Sequence, residues 1–325
     1  MRQGETGTAL LSVLLLVAVI AAMTVGVLDR MNMTTRVVAN MRGVTQARYY
    51  AQGAEAFAAS QISRLLARDP GRTTLAGGWN GRTYRFPTDQ GMIQATLRDG
   101  GNCFNLNSVA QGSAATALIS RGRGIEQFVA LAKMEGVAEA DARHIAAALA
   151  DWVDSDAGAN QDGAEDAVYQ RATPAYLPAN TMLAETSELR AVDGVTNEIY
   201  AALRPWLCAL PTTDLSPVNI NTLAPDQAPL LAMLLPDRLT ETQARQLIEQ
   251  RPPDGWGDLT EFWQHPMLAD LAPPSDVLMQ PQLTTKWFTL DIMAENGGFE
   301  ARESALLAAR TGQVRVVARR WTGDE

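Results

Sequence analysis

The chain has 325 residues, a net charge of −9 and a sequence pI near 4.9, and 46% of its residues are hydrophobic. This length suffices for about two domains and a real apolar core. The acidic balance argues against a phosphate-binding surface, which needs clustered Lys and Arg, and leaves room for a cation.

The first predicted element is an uncharged segment at residues 8–28, TALLSVLLLVAVIAAMTVGVL. As a helix it is about 30 Å long, the thickness of a bilayer's hydrocarbon core. A secretory signal ends in a small-residue cleavage site, whereas Asp29 and Arg30 follow this segment directly. The segment is a membrane span, a signal-peptide core, or both in succession, and its length and flanks favour the span.

A polar leader, MRQGETG, precedes this segment and ends in Gly7. A short leader ending in Gly, followed by an apolar helix, resembles the N-terminus of the type IV pilin and pseudopilin family. The resemblance implies that a prepilin peptidase cuts after Gly7 and methylates the new N-terminus, Thr8.

Most pilins carry Glu as the fifth residue of the mature chain, where this chain has Ser12. A buried carboxylate in an apolar helix bundle is costly unless it is paired, and in pilins it is thought to meet the N-terminal amine of the subunit above. A subunit without this Glu suits the tip of a filament. In this respect the chain resembles the minor pseudopilin K family of type II secretion (general secretion pathway protein K).

A second helical segment continues through residues 29–68, where apolar residues recur every three or four positions. Asp69, Pro70 and Gly71 form a stop signal. The pattern predicts one long helix, half in the membrane and half packed on a globular body; an anchor with a helical linker is the alternative.

Two groups of β-like segments lie at the two ends of the remaining chain. Residues 83–86 and 91–97 predict a hairpin, and CFNLN at 103–107, which resembles the K family, follows a second turn. Residues 286–293, 299–311 and 313–322 predict strands separated by turns at 296–298 and 311–312. We therefore expect one sheet assembled from residues of about 80–107 and 284–322.

The intervening segment is predicted to be a helical insertion with two similar units, at 187–207 and 219–262. Both resemble helix-hairpin-helix units. In DNA-binding members, glycines in the hairpin expose backbone N–H groups to a phosphate. Here Asp193 and Asp237 stand in the hairpins and neither has a Gly-x-Gly loop, so we interpret both units as structural.

An acidic stretch at 151–166, DWVDSDAGANQDGAED, is the main candidate site. Carboxylates this dense repel one another unless a cation or solvent separates them, and Ca²⁺ takes six to eight oxygen ligands from flexible loops. A solvated acidic loop is the alternative. The DWxDxD…GAED pattern resembles the K family, which implies a calcium site in the helical domain. The candidate ligands are Asp151, Asp154, Asp156, Asp162, Glu165 and Asp166, with Asn180 and Glu188 as further candidates.

The chain has two cysteines, Cys103 and Cys208. A periplasmic body permits a disulfide between them, and two unrelated buried thiols are the alternative. The K-family resemblance supports the disulfide. His144 and His265 lie far apart and near no cysteine, and zinc spacing, a Walker loop and a nucleophile motif are all missing from the sequence. We therefore expect no enzyme activity.

The predicted fold is α+β: a pilin-like membrane-spanning helix packed on a small antiparallel sheet, interrupted by a large helical domain. The predicted divisions are a leader at 1–7, a span at 8–28, helix and first strands at 29–109, the insertion at 110–282 and closing strands at 283–325.

The K-family resemblance implies a minor pseudopilin at the pseudopilus tip, with minor pseudopilins I and J, prepilin peptidase and the inner-membrane secretion platform as partners. It implies a single-pass inner-membrane protein with its body in the periplasm and no nucleic-acid partner. A membrane-anchored helix-hairpin-helix DNA-binding protein is the runner-up, and a secreted calcium-dependent hydrolase is the third alternative.

Overall fold

The computed structural model describes residues 5–113, 117–310 and 312–322. Residues 1–4 of the predicted leader and Thr311 of the last predicted turn lie outside this range. The first helix, α1, spans Glu5–Arg68 without a break, which confirms one long helix ending at Arg68 and starts it three residues before the predicted start at Thr8. Residues 8–42 of α1 are exposed, and α1 is long and apolar enough to cross a membrane, with a mean hydropathy of 2.8 in its most apolar window.

The second half of α1 packs on a sheet through small side chains. Ala47, Ala51 and Ile62 are fully buried on one face of the helix, at the three- and four-residue spacing that one helix face requires. Gly43 begins this contact, because its missing side chain makes room for the ring of Phe299. The small residues let the helix axis approach the sheet closely, which fixes α1 as the spine of the body.

The described strands, in chain order, are β1 (Thr83–Thr88), β2 (Gly91–Asp99), β3 (Phe104–Asn105), β4 (Ala110–Ser113), β5 (Ala117–Ser120), β6 (Leu207–Cys208), β7 (Trp287–Asn296), β8 (Phe299–Arg310) and β9 (Gln313–Thr322). Five of them form an antiparallel sheet in the order β1-β2-β7-β8-β9. The predicted hairpins and closing strands are thereby confirmed. Pro87 lies inside β1, where an edge strand tolerates its missing N–H.

The expectation that residues 102–107 join this sheet is wrong. β3 pairs in parallel with β6 instead, and Phe104 and Leu106 lie in the core of the helical domain. The buried amide of Asn107 donates to the carbonyls of Leu183 and Leu210, both at 2.9 Å. The CFNLN run therefore anchors the helical domain, and the first part of the sheet ends at Asp99 rather than near residue 107.

The inserted domain follows β2 and returns to the sheet at β7. Its helices are α2 (Gly122–Met134), α3 (Glu139–Val153), α4 (Asp166–Tyr169), α5 (Asn197–Leu203), α6 (Ala228–Ala232), α7 (Glu241–Glu249), α8 (Leu259–Trp263) and α9 (Ser275–Leu278). The first helix of the predicted unit at 187–207 is a 3-10 helix, Thr186–Ala191. The β4–β5 hairpin was not predicted, because a four-residue strand rich in Gly and Ser has little β pattern.

Cys103 and Cys208 form a disulfide, with their Cα atoms 5.7 Å apart. The bond joins the start of the helical domain to β6, next to the β3–β6 pair. The disulfide implied by the family resemblance is thereby confirmed.

Candidate metal site in the acidic loop

The end of α3 places two acidic side chains in the protein interior. The apolar face of α3 buries Ile145, Leu149 and Trp152. Because Asp151 and Asp154 flank Trp152, this packing places them in the interior as well. The two residues are 0% and 2% exposed. Burial raises the pKa of each carboxyl, because the charged form loses hydration.

Glu165 comes from the far end of the loop to face these two acids, and it is 8% exposed. Burial, with the nearby charges of Asp151 and Asp154 acting in the same direction, raises its pKa to about 7. Within the described residues no Lys or Arg forms a salt bridge with any of the three. Three buried carboxyls without a cation are costly in this arrangement.

Several oxygens of this group have no hydrogen-bond donor among the described residues: Asp151 Oδ2, Asp154 Oδ1, and both Oε1 and Oε2 of Glu165. The other oxygens are held in place. Ser120 Oγ donates to Asp154 Oδ2 at 2.6 Å, and the backbone N–H of Asn160 donates to Asp151 Oδ1 at 3.0 Å. The side-chain amide of Asn160 also donates to Ser120 Oγ at 2.8 Å, which links the two acids through one serine.

One oxygen from each of Asp154, Asp156 and Glu165 can be chosen so that all three lie within 4.8 Å of one another. Asp156 is exposed and accepts a hydrogen bond from the Gly158 N–H at 2.8 Å. A Cβ at Gly163 would stand 2.0 Å from Asp151 Oδ2, so the loop passes directly over that oxygen. Hard oxygen donors with unused lone pairs at this spacing suit a calcium ion.

Asn180 lies beside this group, since its N–H donates to the carbonyl of Trp152 at 2.9 Å, and Asp162 and Asp166 neighbour Gly163 and Glu165 in sequence. Asp162 and Asn180 have exposed side chains and left-handed backbone, with φ of +63° and +48°. Asp166 begins α4. Glu188 Oε1 accepts hydrogen bonds from the N–H groups of Ala184 and Glu185, so it caps a 3-10 helix. The structure therefore brings together Asp151, Asp154, Asp156 and Glu165, and metal binding itself stays a prediction.

Sequence reasoning missed the residues that hold the loop, namely Ser120, Asn160, Gly163 and His144. His144 Nδ1 lies 2.7 Å from the carbonyl oxygen of Asp162, and its Nε2 lies 2.9 Å from Asp193 Oδ2. His144 thus connects the acidic loop to the first hairpin unit. Asn160 and Gly163 were visible in the loop composition, whereas Ser120 is 34 residues from Asp154 and had no local signal.

Comparisons with known proteins agree on one family. Residues 102–212 match the first-domain profile, and residues 218–286 a second profile, of "Type II secretion system (T2SS), protein K". The chain is 34% identical to type II secretion system protein K of Pectobacterium carotovorum subsp. carotovorum over 326 residues, covering 99% of this chain and 98% of the relative. It is 35% identical to the Klebsiella pneumoniae protein over 332 residues, with full coverage of both.

A solved structure is similar as well. A chain in the crystal structure of the GspK-GspI-GspJ complex from the enterotoxigenic Escherichia coli type 2 secretion system superimposes with a TM-score of 0.77. The two chains are 30% identical, and the match covers 88% of this chain and 99% of that one. The comparisons give the DNA-binding alternative no support.

Proposed function

The chain belongs to the type II secretion system protein K family and is a minor pseudopilin, and on that premise we propose that it occupies the tip of the pseudopilus. There it helps to initiate assembly for protein export across the outer membrane. Its role is structural, without a catalytic step.

The observation that carries the tip position is the size of the domain inserted between β2 and β7. Residues 100–286 leave the pilin-like sheet at one point and return beside it, since β2 and β7 are paired neighbours. A helical filament packs each subunit against neighbours on all sides, so such a bulk is best accommodated at an end. Ser12 agrees with this position, because its hydroxyl donates to the Thr8 carbonyl at 2.9 Å within α1 and it has no carboxylate to offer a subunit above.

The proposed partners are two other minor pseudopilins, I and J. The similar solved chain was crystallised in a complex of GspK with GspI and GspJ, and the match spans nearly the whole of that chain. The proposal adds prepilin peptidase, which would cut between Gly7 and Thr8, and the inner-membrane secretion platform. It places α1 in the inner membrane and the body in the periplasm.

The tip position is testable by labelling assembled pseudopili with gold-tagged antibody against the helical domain. We expect label at one end of each filament, with antibody against the major pseudopilin decorating the whole length as the control. Label spread along the filaments would contradict the tip position. Intact mass with and without prepilin peptidase tests the processing separately, and retention of residues 1–7 beside active peptidase would contradict it.

For the acidic loop we propose that Asp154, Asp156 and Glu165 hold a calcium ion, with Asp151 beside them. What supports this is the set of buried carboxylate oxygens that have no donor among the described residues. The ion would supply the positive charge that three buried acids need, and would tie the end of α3 to the start of α4. Its role is therefore structural: it would hold the acidic loop against the end of α3.

Calorimetric titration of calcium into chelator-treated protein tests the site. We expect saturable binding and a higher melting temperature, because a ligand that binds the folded state stabilises it by mass action. Asp154→Asn should weaken binding strongly, whereas Asp141→Asn, an exposed acid in the first turn of α3, should leave it unchanged. If the wild-type protein shows neither binding heat nor a change in melting temperature, the calcium proposal is wrong and the segment is a solvated acidic loop.

A further inference from the structure

The sheet body and the helical domain have separate apolar cores. One core joins α1 to the sheet, and the other lies wholly within residues 104–277. Between them, among the described residues, lies a small cluster of Leu210, Trp287 and Ala308. An open groove of about 1100 Å³ separates the outer face of the sheet, at residues such as Ser304, from the helical domain at Arg204. Apolar packing alone therefore holds the two parts weakly.

A largely buried polar network lies where the chain passes between the two parts, and the half-buried Asp99 at the end of β2 is its centre. Asp99 Oδ2 accepts hydrogen bonds from Thr222 Oγ1 at 2.6 Å and from Thr285 Oγ1 at 2.5 Å. Thr222 belongs to the helical domain, and Thr285 stands just before β7. Asp99 Oδ1 accepts a third bond from the Gly101 N–H at 2.9 Å. The Asp99 carboxylate thus binds both the segment that leaves the sheet after β2 and the segment that returns to it before β7.

Two asparagines complete the network symmetrically. Asn102 Nδ2 donates to Thr222 Oγ1, and Asn219 Nδ2 donates to Thr285 Oγ1, both at 2.9 Å. Each threonine hydroxyl has one hydrogen. Asp99 is its nearest acceptor in both cases, since the Asn219 carbonyl lies farther from Thr222 Oγ1, at 3.2 Å. Each threonine oxygen is then free to accept from an asparagine. The Asn219 N–H also donates to Asn102 Oδ1 at 2.8 Å. The donor directions are consistent throughout, which is what a fully satisfied network requires.

The segment after α1 joins the same network through Thr73. Its N–H donates to the Leu283 carbonyl at 2.7 Å, and its Oγ1 accepts from the Thr285 N–H at 3.2 Å. Asn219 Nδ2 reaches the Thr73 carbonyl at 3.2 Å. Four segments that are distant in sequence therefore meet at one buried point.

We propose that this polar joint locks the helical domain in one orientation on the sheet body, so that the two cores move as one. The polar joint consists of Thr73, Asp99, Asn102, Asn219, Thr222 and Thr285. Hydrogen bonds are directional, and a buried donor or acceptor that loses its partner costs about 1–3 kcal/mol, so any other orientation of the domain is disfavoured. The three-residue apolar cluster has no comparable directionality.

The test is a distance distribution between two spin labels in the full-length protein. Both native cysteines are in the disulfide, so Arg85→Cys on β1 and Ala201→Cys on α5 are labelled selectively. We expect Thr222→Val/Thr285→Val to broaden the distribution by about twofold or more, as for a domain released to hinge. Thr88→Val, which removes a buried hydroxyl without a partner among the described residues, should leave the width unchanged. A folded double variant with an unchanged width would overturn the proposal.

Hydrogen exchange of the wild-type protein gives a second test that needs no variant. The N–H groups of Gly101, Asn219 and Thr285 are bonded to side chains of the joint. The proposal expects them to exchange as slowly as amides of the two apolar cores. If they exchange much faster while both cores stay protected, the joint opens freely and the proposal is wrong, whether or not the double variant folds.

Discussion

Glu55 of α1 accepts two hydrogen bonds from Arg319 of β9, at 2.7 and 2.9 Å, across 264 residues of sequence. The same guanidinium reaches Glu303 Oε1 of β8 at 3.2 Å. The Glu303 side chain is fully buried between α1 and the sheet, and its Oε2 has no donor among the described residues. Two acids share one base there, so burial, with Glu55 acting in the same direction, raises the pKa of Glu303 to about 7.

This arrangement predicts that the contribution of Glu303 to the free energy of unfolding falls as pH rises. An ordinary Glu titrates near 4.5, so between about pH 4.5 and 7 the folded state holds a proton that the unfolded state has lost. The stabilising contribution is complete below this window and disappears as pH rises through 7. We expect Glu303→Gln, which is neutral throughout, to gain roughly 1–3 kcal/mol relative to wild type between pH 5 and 8.

Denaturant unfolding across this pH range measures the difference. Glu295→Gln, an exposed acid on β7, serves as the control and should follow the wild type. A stability difference between Glu303→Gln and wild type that is constant from pH 5 to 8 would mean that Glu303 is already ionised in the folded protein.

The acidic loop predicts calcium binding that strengthens with pH. The raised pKa of Glu165, about 7 in the cation-free protein, means that this carboxyl must lose its proton before it can coordinate. We therefore expect the affinity to increase by up to about tenfold per pH unit below pH 7, and to level off above it. Titrations in buffers of different ionisation enthalpy should detect the released proton. Glu165→Gln should bind more weakly and lose the pH dependence, and a variant that keeps the wild-type profile would exclude Glu165 as the titrating ligand.

Gly163 offers a test of the loop that removes no carboxylate from the chain. A Cβ there would stand 2.0 Å from Asp151 Oδ2, so Gly163→Ala must displace either Asp151 or the loop. We expect a loss of calcium affinity of tenfold or more, on the order of 1.4 kcal/mol. Gly122→Ala, with open space around its Cβ, is the matched control. Equal affinities for the two variants would show that the cation site does not involve this part of the loop.

Local chemistry was enough to predict the long helix and the five strands of the main sheet, although it also assigned residues 102–107 to that sheet. The helical period through 29–68 and the stop at Asp69, Pro70 and Gly71 fixed the end of α1, and glycine turns separated the closing strands. The polar joint could not be predicted in this way. Its bonds to Asp99 span 123 residues from Thr222 and 186 from Thr285, and single Asn or Thr residues give no pairing signal.

Only part of the candidate site could be predicted, because the rest again depends on contacts that the local sequence does not show. The density of acids in 151–166 indicated a cation, but which oxygens converge depends on the path of the loop backbone. Asp162 turns outward at a left-handed position, whereas Glu165 folds back onto α3. Glu188 is a case where a signal was present, because its spacing from Glu185 fits a capping box. The N–H groups of Ala184 and Glu185 occupy Glu188 Oε1, so the capping role accounts for this oxygen without a metal.

We expect removal of the disulfide to lower the free energy of unfolding substantially. It closes a loop with a sequence separation of 105 residues, and cross-links across loops of this size contribute about 2–5 kcal/mol, chiefly by restricting the unfolded chain. Cys103→Ser/Cys208→Ser should lower the free energy of unfolding by this amount. It should still unfold cooperatively, because Asn105 and Asn107 hold the same segment. Dithiothreitol should destabilise the wild type equally and the double variant not at all, and a wild type indifferent to the reductant would refute this account.

Two glycines of α1 predict opposite effects of the same substitution. Gly53 is exposed with open space around it, so Gly53→Ala should stabilise the protein by up to about 1 kcal/mol through helix propensity. At Gly43 a Cβ would stand 2.1 Å from Phe299 Cδ2, where α1 first meets the sheet. Gly43→Ala must push the ring aside, and we expect it to be less stable than Gly53→Ala by about 1–3 kcal/mol.

Adding Phe299→Leu to Gly43→Ala should recover part of that loss, because the smaller side chain no longer meets the new methyl group. Thermal unfolding of the four proteins decides the matter. If the two alanine variants are equally stable, α1 does not contact β8 at Gly43. The packed part of the helix would then begin at Ala47 instead.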